Sequence, residues 1–344
     1  MTDALTGKQE DQTSQPAGTP RGPGPLSRLI RVKELSILVV TVAAVIYFVA
    51  VSGPGFTTPE NYHTIAQYVA PWAIVGAGEV LVLICGQIDL SAGFVFTLSP
   101  FVLMLFYNNG WPLFLAVLGA IVVSGLIGMV NGLIHTVFGL SAFITTLGMA
   151  FLLWGLELII SGGSPVSAPT DSWVVSVFGG SRWSEFIWAL VVVAVMQTVL
   201  STTRFGISTQ ATGGNPIGAS EAGIRTNRVK VAVFTIAGAL AGLAGILQGT
   251  RVGSYDPTNG GFNTMFYAVA SAVIGGTALL GGSGTVIGAF LGALLLGLVY
   301  DGFNLMGISA NAFYMVLGGA ILVAALLNVY VTVVRKRFGT RGRA

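Results

Sequence analysis

The sequence predicts an all-α, polytopic integral membrane protein with about ten transmembrane helices, and three observations lead to this fold class. Charged residues make up only 8% of the 344 residues, whereas hydrophobic residues make up 53%. Soluble domains carry roughly 25% charged residues, so this chain has too few to cover a globule with a polar surface. Several long runs contain no Asp, Glu, Lys or Arg. These runs also lack the polar–apolar alternation of membrane β-barrel strands, which leaves helices as the expected elements.

The charge-free runs set the positions of the expected helices. A spanning helix needs about 20 mainly apolar residues, so the run 90–156 has room for about three. Clusters such as Gly53-Pro54-Gly55 and Asn108-Asn109-Gly110 mark the breaks between helices. Ten spans are expected at 35–52, 64–86, 91–107, 111–137, 142–160, 184–202, 230–250, 264–281, 285–303 and 311–333.

The positive charges predict how these spans are oriented. We expect a disordered cytoplasmic tail at 1–33, a transmembrane domain at 34–334 with a cytoplasmic loop at 203–230, and a basic cytoplasmic tail at 335–344. The two tails and the loop then hold all Lys and Arg except Arg182 and Arg251, as the positive-inside rule requires. An odd number of spans would place one basic tail outside, whereas eight spans would fit as well as ten.

The long polar loop at 161–183 separates five expected spans from five others. Two five-helix halves in this order would have opposite orientations in the membrane. Inverted repeats of this kind are common in transporters, so we expect two inverted five-helix halves.

The polar segment 203–230 carries signals for a short helix. Asn215 can cap free backbone amides, and Pro216 suits the first helical position, where its missing N–H costs nothing. Gly223 can end the helix in a left-handed conformation. We therefore expect a helix at 216–222 between two flexible joints, suited to a groove in a partner protein. The alternative is a surface helix that lies on the membrane.

Five stretches of the sequence carry motifs that can be compared with known families. They are 211–216 (Ala-Thr-Gly-Gly-Asn-Pro) with 221–224, 81–84 with 87–93 (Gln-Ile-Asp-Leu-Ser-Ala-Gly), 142–148 (Ala-Phe-Ile-Thr-Thr-Leu-Gly), 163–166 (Gly-Ser-Pro-Val), and 273–277 with 281–285 (Gly-Gly-Ser-Gly-Thr), and 304–307 (Asn-Leu-Met-Gly) follows them. Together these stretches resemble the ribose-type (carbohydrate) ABC transporter permeases, from about residue 35 to residue 330. Each stretch alone is a weak signal because it is glycine-rich and apolar, but the five occur in the order expected for that family.

The resemblance implies a sugar importer of the bacterial inner membrane with several partners. These are a second permease copy (as a homodimer or a heterodimer), a cytoplasmic ABC ATPase, and a periplasmic or lipid-anchored sugar-binding protein. The short helix would enter a cleft of the ATPase. The expected coupling residues are Gly213, Gly214, Asn215, Pro216, Ala219, Glu221, Ala222, Gly223 and Ile224.

The sequence itself predicts a transport subunit rather than an enzyme. A P-loop needs Gly-x-x-x-x-Gly-Lys-Ser/Thr, and the glycine-rich stretch 275–284 has no lysine nearby. We therefore expect no catalytic residue, metal or cofactor in this chain, with Mg-ATP held by the partner ATPase. Membrane lipid is an expected partner, whereas nucleic acid is not, because the basic residues lie at helix ends rather than along one face.

Polar residues inside the apolar runs are the candidates for the translocation pathway, because ionisable groups are costly in a membrane. The expected pathway residues are Glu79, Asn131, Phe143 and Asn304, with Asp89 and Ser91 at the cytoplasmic mouth. Asp89 could instead cap the third span, and Glu79 could accept hydrogen bonds from a neighbouring helix. Two other functions stay open. One is a stand-alone secondary transporter or channel, and the other is an ABC permease for branched amino acids or nucleosides.

Overall fold

The computed structural model describes residues 33–170 and 172–339, and of 33, 34, 310, 325 and 327–339 only the backbone. Apart from Lys33, the expected N-terminal tail lies outside the described residues, as do residues 340–344 of the expected C-terminal tail. The longer helices are α1 Lys33–Val51, α2 Pro59–Ile84, α3 Ala92–Asn108, α4 Leu113–Val137, α5 Ala142–Ser161, α6 Ser184–Thr202, α7 Arg204–Gly214, α8 Pro216–Glu221, α9 Thr226–Val252, α10 Gly261–Ile274, α11 Val286–Leu305 and α12 Ala310–Gly339. Short helical segments lie at Pro54–Thr57, Trp173–Val175 and Ser176–Gly180.

A helix lies at each of the ten positions where a span is expected, and six of these helices can cross a membrane by length and composition. These six are α2, α4, α5, α6, α9 and α11. The other four contain shorter apolar stretches of 10–17 residues. The structure is therefore that of a helical multi-pass membrane protein.

Two boundaries differ from the sequence-based expectation. The helix α10 ends at Ile274 rather than at 281, because the following loop holds Gly276, Gly281 and Gly282 at positive φ. The expected loop at 203–230 is mostly helical, since α7 and α8 occupy its first part and α9 begins at Thr226. The side chain of Thr203 starts α7 by accepting a hydrogen bond from the backbone N–H of Gly206 at 3.2 Å.

The helix α2 forms the centre of the molecule. All residues of α2 from Val69 to Ile84 are buried, and α9, α11, α10 and α6 pack around this helix. Small residues permit close approach: a Cβ added to Gly78 would lie 2.8 Å from the Cα of Ala237 in α9. Lipid offers no hydrophobic drive between helices, so such contacts are the expected means of packing.

Different structural elements lie at the two ends of the helix bundle. One end, the α8 end, holds α7, α8, the turn after α2 and the loop between α10 and α11; there the N–H of Gly282 donates to the carbonyl of Ile84 at 2.7 Å. The other end, the strand end, holds a two-residue antiparallel pair, in which β1 Val166–Ser167 pairs with β2 Ser254–Tyr255.

The short helices α3 and α10 both begin inside the bundle. Each follows a largely non-helical segment, 85–91 before α3 and 253–260 before α10. Their first turns touch, because a Cβ at Gly93 would overlap the backbone carbonyl of Gly261. Irregular backbone at membrane depth is tolerated only where protein or a water-filled cavity covers it. The meeting point of α3 and α10 is therefore a place where the bundle departs from simple spanning helices.

Candidate coupling segment and polar core

The helix α8 has the ends that its sequence predicts. The side-chain oxygen of Asn215 accepts from the N–H of Gly218 at 3.0 Å, and Pro216 occupies the first helical position. Gly223 has a φ of 84°, which a residue with a side chain rarely adopts. The N–H of Ile224 then closes the turn on the carbonyl of Ala219 at 2.9 Å. The predicted short helix is confirmed, and it ends at Glu221, one residue earlier than expected.

The helix α8 presents one side to the outside and one to the protein. Ala219 is buried, whereas Ile217 is 74% exposed and Glu221 is also exposed. Because residues four apart lie on the same helix face, Ile217 and Glu221 form one outward face. The neighbouring cations Arg225 and Arg228 are exposed as well. An exposed isoleucine beside charges, on a helix held at both ends, is suited to bind a partner protein.

Three backbone segments meet beneath α8, and we call this contact the glycine junction: Ile84–Gly86, Gly213–Gly214 and Gly281–Gly282. A Cβ at Gly213 would overlap the carbonyl oxygen of Ile84, and a Cβ at Gly281 would lie 3.0 Å from the carbonyl oxygen of Gly213. The thiol of Cys85, at the end of α2, also donates to the carbonyl of Thr209 in α7 at 3.8 Å. The segment that carries α8 is therefore in direct backbone contact with α2 and with the loop before α11.

The predicted residues Asp89, Ser91 and Asn131 come together in a buried polar core near the start of α3. The Asp89 Oδ1 atom accepts from the Ser91 N–H at 2.9 Å and from the Ser91 hydroxyl at 2.6 Å. The side-chain amide of Asn131 in α4 donates to the same hydroxyl at 2.8 Å. These bonds stabilise the turn before α3, so the role that the structure gives Asp89 is to hold this turn.

The polar core is also attached to α5. The N–H of Leu90 donates to the hydroxyl of Thr146 at 3.0 Å, and that hydroxyl donates to the carbonyl of Ala142 at 2.9 Å. Segment 85–91 is thus held by α4 on one side and by α5 on the other. A movement of either helix would change the position of the first turn of α3.

The remaining predicted pathway residues lie in different places. Glu79 is fully buried, and its carboxylate lies near the backbone and the side chain of Asp89. Phe143 is 52% exposed, one position after the start of α5. Asn304 is exposed near the end of α11, beside Tyr68. The structure brings Glu79 close to the polar core and leaves Phe143 and Asn304 outside it.

Sequence reasoning did not anticipate a buried ion pair at the strand end. The Arg251 Nε atom lies 2.6 Å from the Glu185 carboxylate, and the Glu185 side chain is only 4% exposed. This pair joins the last turn of α9 to the first turn of α6. The available signal was that the two residues carry opposite charges at span ends predicted to lie on the same side of the membrane.

Residues 61–326 match the family described as branched-chain amino acid transport system / permease component. The chain is similar to the xylose/arabinose import permease protein XylH of Sulfolobus acidocaldarius, with 36% identity over 88% of this chain and 86% of the relative. It is 34% identical to the ribose import permease protein RbsC of Escherichia coli (strain K12), over 87% of this chain and 94% of the relative. The D-allose transport system permease protein AlsC of the same strain is 33% identical, over 82% of this chain and 87% of that protein. Comparison with solved structures gives no match.

Proposed function

Because the chain belongs to the family of membrane permease components of ABC import systems, we propose that it is the membrane-spanning subunit of an ATP-driven importer that carries a sugar across the inner membrane. The observation that carries this function is α8, a capped helix with an outward face of Ile217 and Glu221 and a backbone contact to α2. The sugar cargo follows the relatives, which are named for xylose/arabinose, ribose and allose. The family description names branched-chain amino acids, so leucine belongs among the solutes to be tested.

The proposed complex has two permease copies, as a homodimer or a heterodimer, a cytoplasmic ATPase and a sugar-binding protein. The outward face of α8 binds in a cleft of the ATPase, which holds the Mg-ATP. Full burial of an isoleucine side chain contributes about 1.5–3 kcal/mol, so Ile217 is the expected anchor of this contact. A movement of α8 is transmitted to α2 through the glycine junction, because the backbone of Gly213 contacts the backbone of Ile84 directly, with no side chain between them.

We further propose ten spans with both termini in the cytoplasm. The described cations support this orientation: Arg204, Arg225, Arg228 and Lys230 lie at the α8 end, whereas Arg182 and Arg251 lie at the strand end. An excess of Lys and Arg on the cytoplasmic side is the expected pattern for short loops. The α8 end is thus the cytoplasmic end.

Two inverted halves are also part of the proposal, namely α1–α5 and the set α6 with α9–α12. Matching helices make matching contacts: α3 packs on α9 as α10 packs on α2, and α4 packs on α9 as α11 packs on α2. The first turns of α3 and α10, which correspond in this scheme, meet at Gly93 and Gly261. Such a pair of helices that begin inside the bundle is typical of transporters built from inverted repeats.

The pathway residues remain proposals. We propose Asp89 and Ser91 as residues of the cytoplasmic mouth and Asn131 as the pathway residue bonded to Ser91, so that their hydrogen bonds control the first turn of α3. Glu79 lies next to this core and is the proposed polar group further along α2. Phe143 is a proposed apolar gate on α5, and Asn304 is a proposed polar contact near the outer side.

The test is reconstitution of the chain with its ATPase and binding protein in liposomes, followed by ATP-dependent uptake of labelled D-xylose, L-arabinose, D-ribose, D-allose and leucine. We expect uptake of at least one sugar. The variants Ile217→Asp and Glu221→Arg should lose copurification with the ATPase, whereas Trp173→Asp, at a 65% exposed apolar site before α6, should keep it. ATP-independent uptake, or unchanged assembly of the two α8 variants, would contradict the proposal.

A further inference from the structure

A group of aromatic side chains lies where α3, α5 and α10 meet, and we call it the aromatic patch: Phe151 and Trp154 of α5 with Phe262 and Phe266 of α10. The ring centres of Phe151 and Phe262 are 6.0 Å apart, and those of Phe262 and Phe266 are 6.3 Å apart. The buried ring of Phe94 lies beneath the patch, 4.9 Å from Phe262 and 5.9 Å from Trp154. The patch is thus one continuous group of rings that packs on Phe94.

The patch lies near the middle of the membrane. Phe151 is at the centre of α5, a 20-residue helix that is long and apolar enough to span. Phe262 is the second residue of α10, whose first turn meets the first turn of α3 inside the bundle. The patch is therefore at the depth where two helices begin and where the irregular segment 253–260 ends.

The exposed face of the patch combines aromatic rings with an amide. Phe151 is 53%, Trp154 42% and Phe266 50% exposed. Asn263, in the first turn of α10, is exposed too. An amide that faces hydrocarbon without a partner is costly, so an exposed asparagine at this depth marks a face that meets water or a solute.

We propose that the aromatic patch and Asn263 form a carbohydrate contact site at mid-membrane on the translocation pathway, an inference that rests on the proposed function. The C–H groups on one face of a sugar ring pack against the electron-rich face of an aromatic ring. The Asn263 amide offers both a donor and an acceptor to sugar hydroxyls. A site with ring faces and few hydrogen bonds holds a neutral sugar weakly, as rapid release on the inner side requires.

The same face has two other conceivable occupants, lipid and a second copy of the chain. Lipid fits the rings but not the exposed amide of Asn263. A second copy would cover the patch and exclude water. The observations favour a sugar in a water-filled path, and the experiment separates the three occupants.

The first experiment measures water access at the patch. In a Cys85→Ser background, which removes the single native cysteine, the variants Asn263→Cys and Phe266→Cys are treated with a charged, membrane-impermeant methanethiosulfonate in the reconstituted complex. Leu190→Cys, on the exposed face of α6, is the matched control for a lipid-facing side chain. We expect modification at least ten times faster at the patch than at Leu190→Cys, and slower modification in the presence of the transported sugar. Equal rates would indicate lipid, and a disulfide between two Asn263→Cys copies in place of modification would indicate a subunit interface; either result overturns the proposal.

The second experiment measures sugar transport itself. Trp154→Ala and Asn263→Ala should lower uptake of the transported sugar at least five-fold, with unchanged copurification of the ATPase, and Trp154→Phe should restore most of it. Normal uptake by both alanine variants would overturn the site while the importer function stands. If the wild-type complex takes up none of the sugars, the proposed function itself fails.

Discussion

At the scale of single residues, Gly213 is the position where one added methyl group should matter most. A Cβ there overlaps the carbonyl oxygen of Ile84, whereas a Cβ at the adjacent Gly214 comes no closer than 3.7 Å to the Cα of Gly282. Overpacking of this kind costs about 1–3 kcal/mol. We therefore expect Gly213→Ala to lower the melting temperature in detergent and to impair ATP-driven uptake, and Gly214→Ala to do neither. Equal melting temperatures and equal uptake for the two variants would show that the close contact of Gly213 with Ile84 matters neither for stability nor for transport.

The ion pair between Arg251 and Glu185 gives a second prediction at this scale. Arg251→Leu leaves a carboxylate buried without its partner, which costs about 3–5 kcal/mol. The double variant Arg251→Leu with Glu185→Leu removes both charges and should recover most of the lost stability, because replacement of a buried pair by apolar residues is often neutral. Thermal unfolding of the two single variants and the double variant checks this. Additive losses would mean that the two side chains do not interact.

At the scale of helices and loops, loss of the cap of α8 should disturb this helix without lowering the stability of the whole fold. Asn215→Ala removes the side-chain acceptor of the Gly218 N–H, at a local cost of about 0.5–2 kcal/mol. We expect weaker copurification with the ATPase and reduced uptake at an unchanged global melting temperature. Ser220→Ala, an exposed position on the same helix, is the control that should keep both. A fall in global melting temperature on Asn215→Ala would show that α8 is part of the main folding unit.

The elements differ in how far the sequence could predict them. The spanning helices and the ends of α8 were predictable, because apolar runs and the Asn–Pro start and glycine stop act locally. The helix α7 was missed, since its polar composition is typical of a loop; Thr209 and Thr212 are nevertheless fully buried, so tertiary packing decides its structure. The early end of α10 was also missed, because Gly275, where the helix ends, packs against the backbone of Gly288, a contact that the sequence does not show.

The candidate site was predictable where its residues lie close together in sequence, as Asp89 and Ser91 do. Asn131 was also a candidate, because a polar side chain in an apolar helix needs a hydrogen-bond partner. The aromatic patch could not be anticipated, since phenylalanine in an apolar run is indistinguishable from lipid-facing or core phenylalanine until α5 and α10 are placed side by side. For Glu185 and Arg251 the sequence offered only opposite charges at span ends on the same predicted side, which is not enough to predict their contact.

At the scale of the whole molecule, the orientation can be tested with single cysteines in the Cys85→Ser background. We expect Ser220→Cys, in α8, to react with an impermeant thiol reagent only after the cells are opened. Thr258→Cys, in the loop after β2, should react in intact cells, because it is exposed at the opposite end. Asn109→Cys, between α3 and α4, should behave like Thr258→Cys if α3 completes a crossing. Reaction of Ser220→Cys in intact cells, with Thr258→Cys and Asn109→Cys protected, would show that the chain has the opposite orientation.

The segment that carries α8 makes two separate contacts, one with α2 through the glycine junction and one with the proposed ATPase through its outward face. In the proposed complex, transmission to α2 depends on backbone contacts and therefore on glycine at positions such as 213. Recognition of the ATPase depends on the side chains of Ile217 and Glu221, which are exposed and take no part in those backbone contacts. The outward face of α8 is thus an exchangeable adaptor: grafting the corresponding face of another permease should redirect this subunit to a different motor while the transmission beneath stays intact.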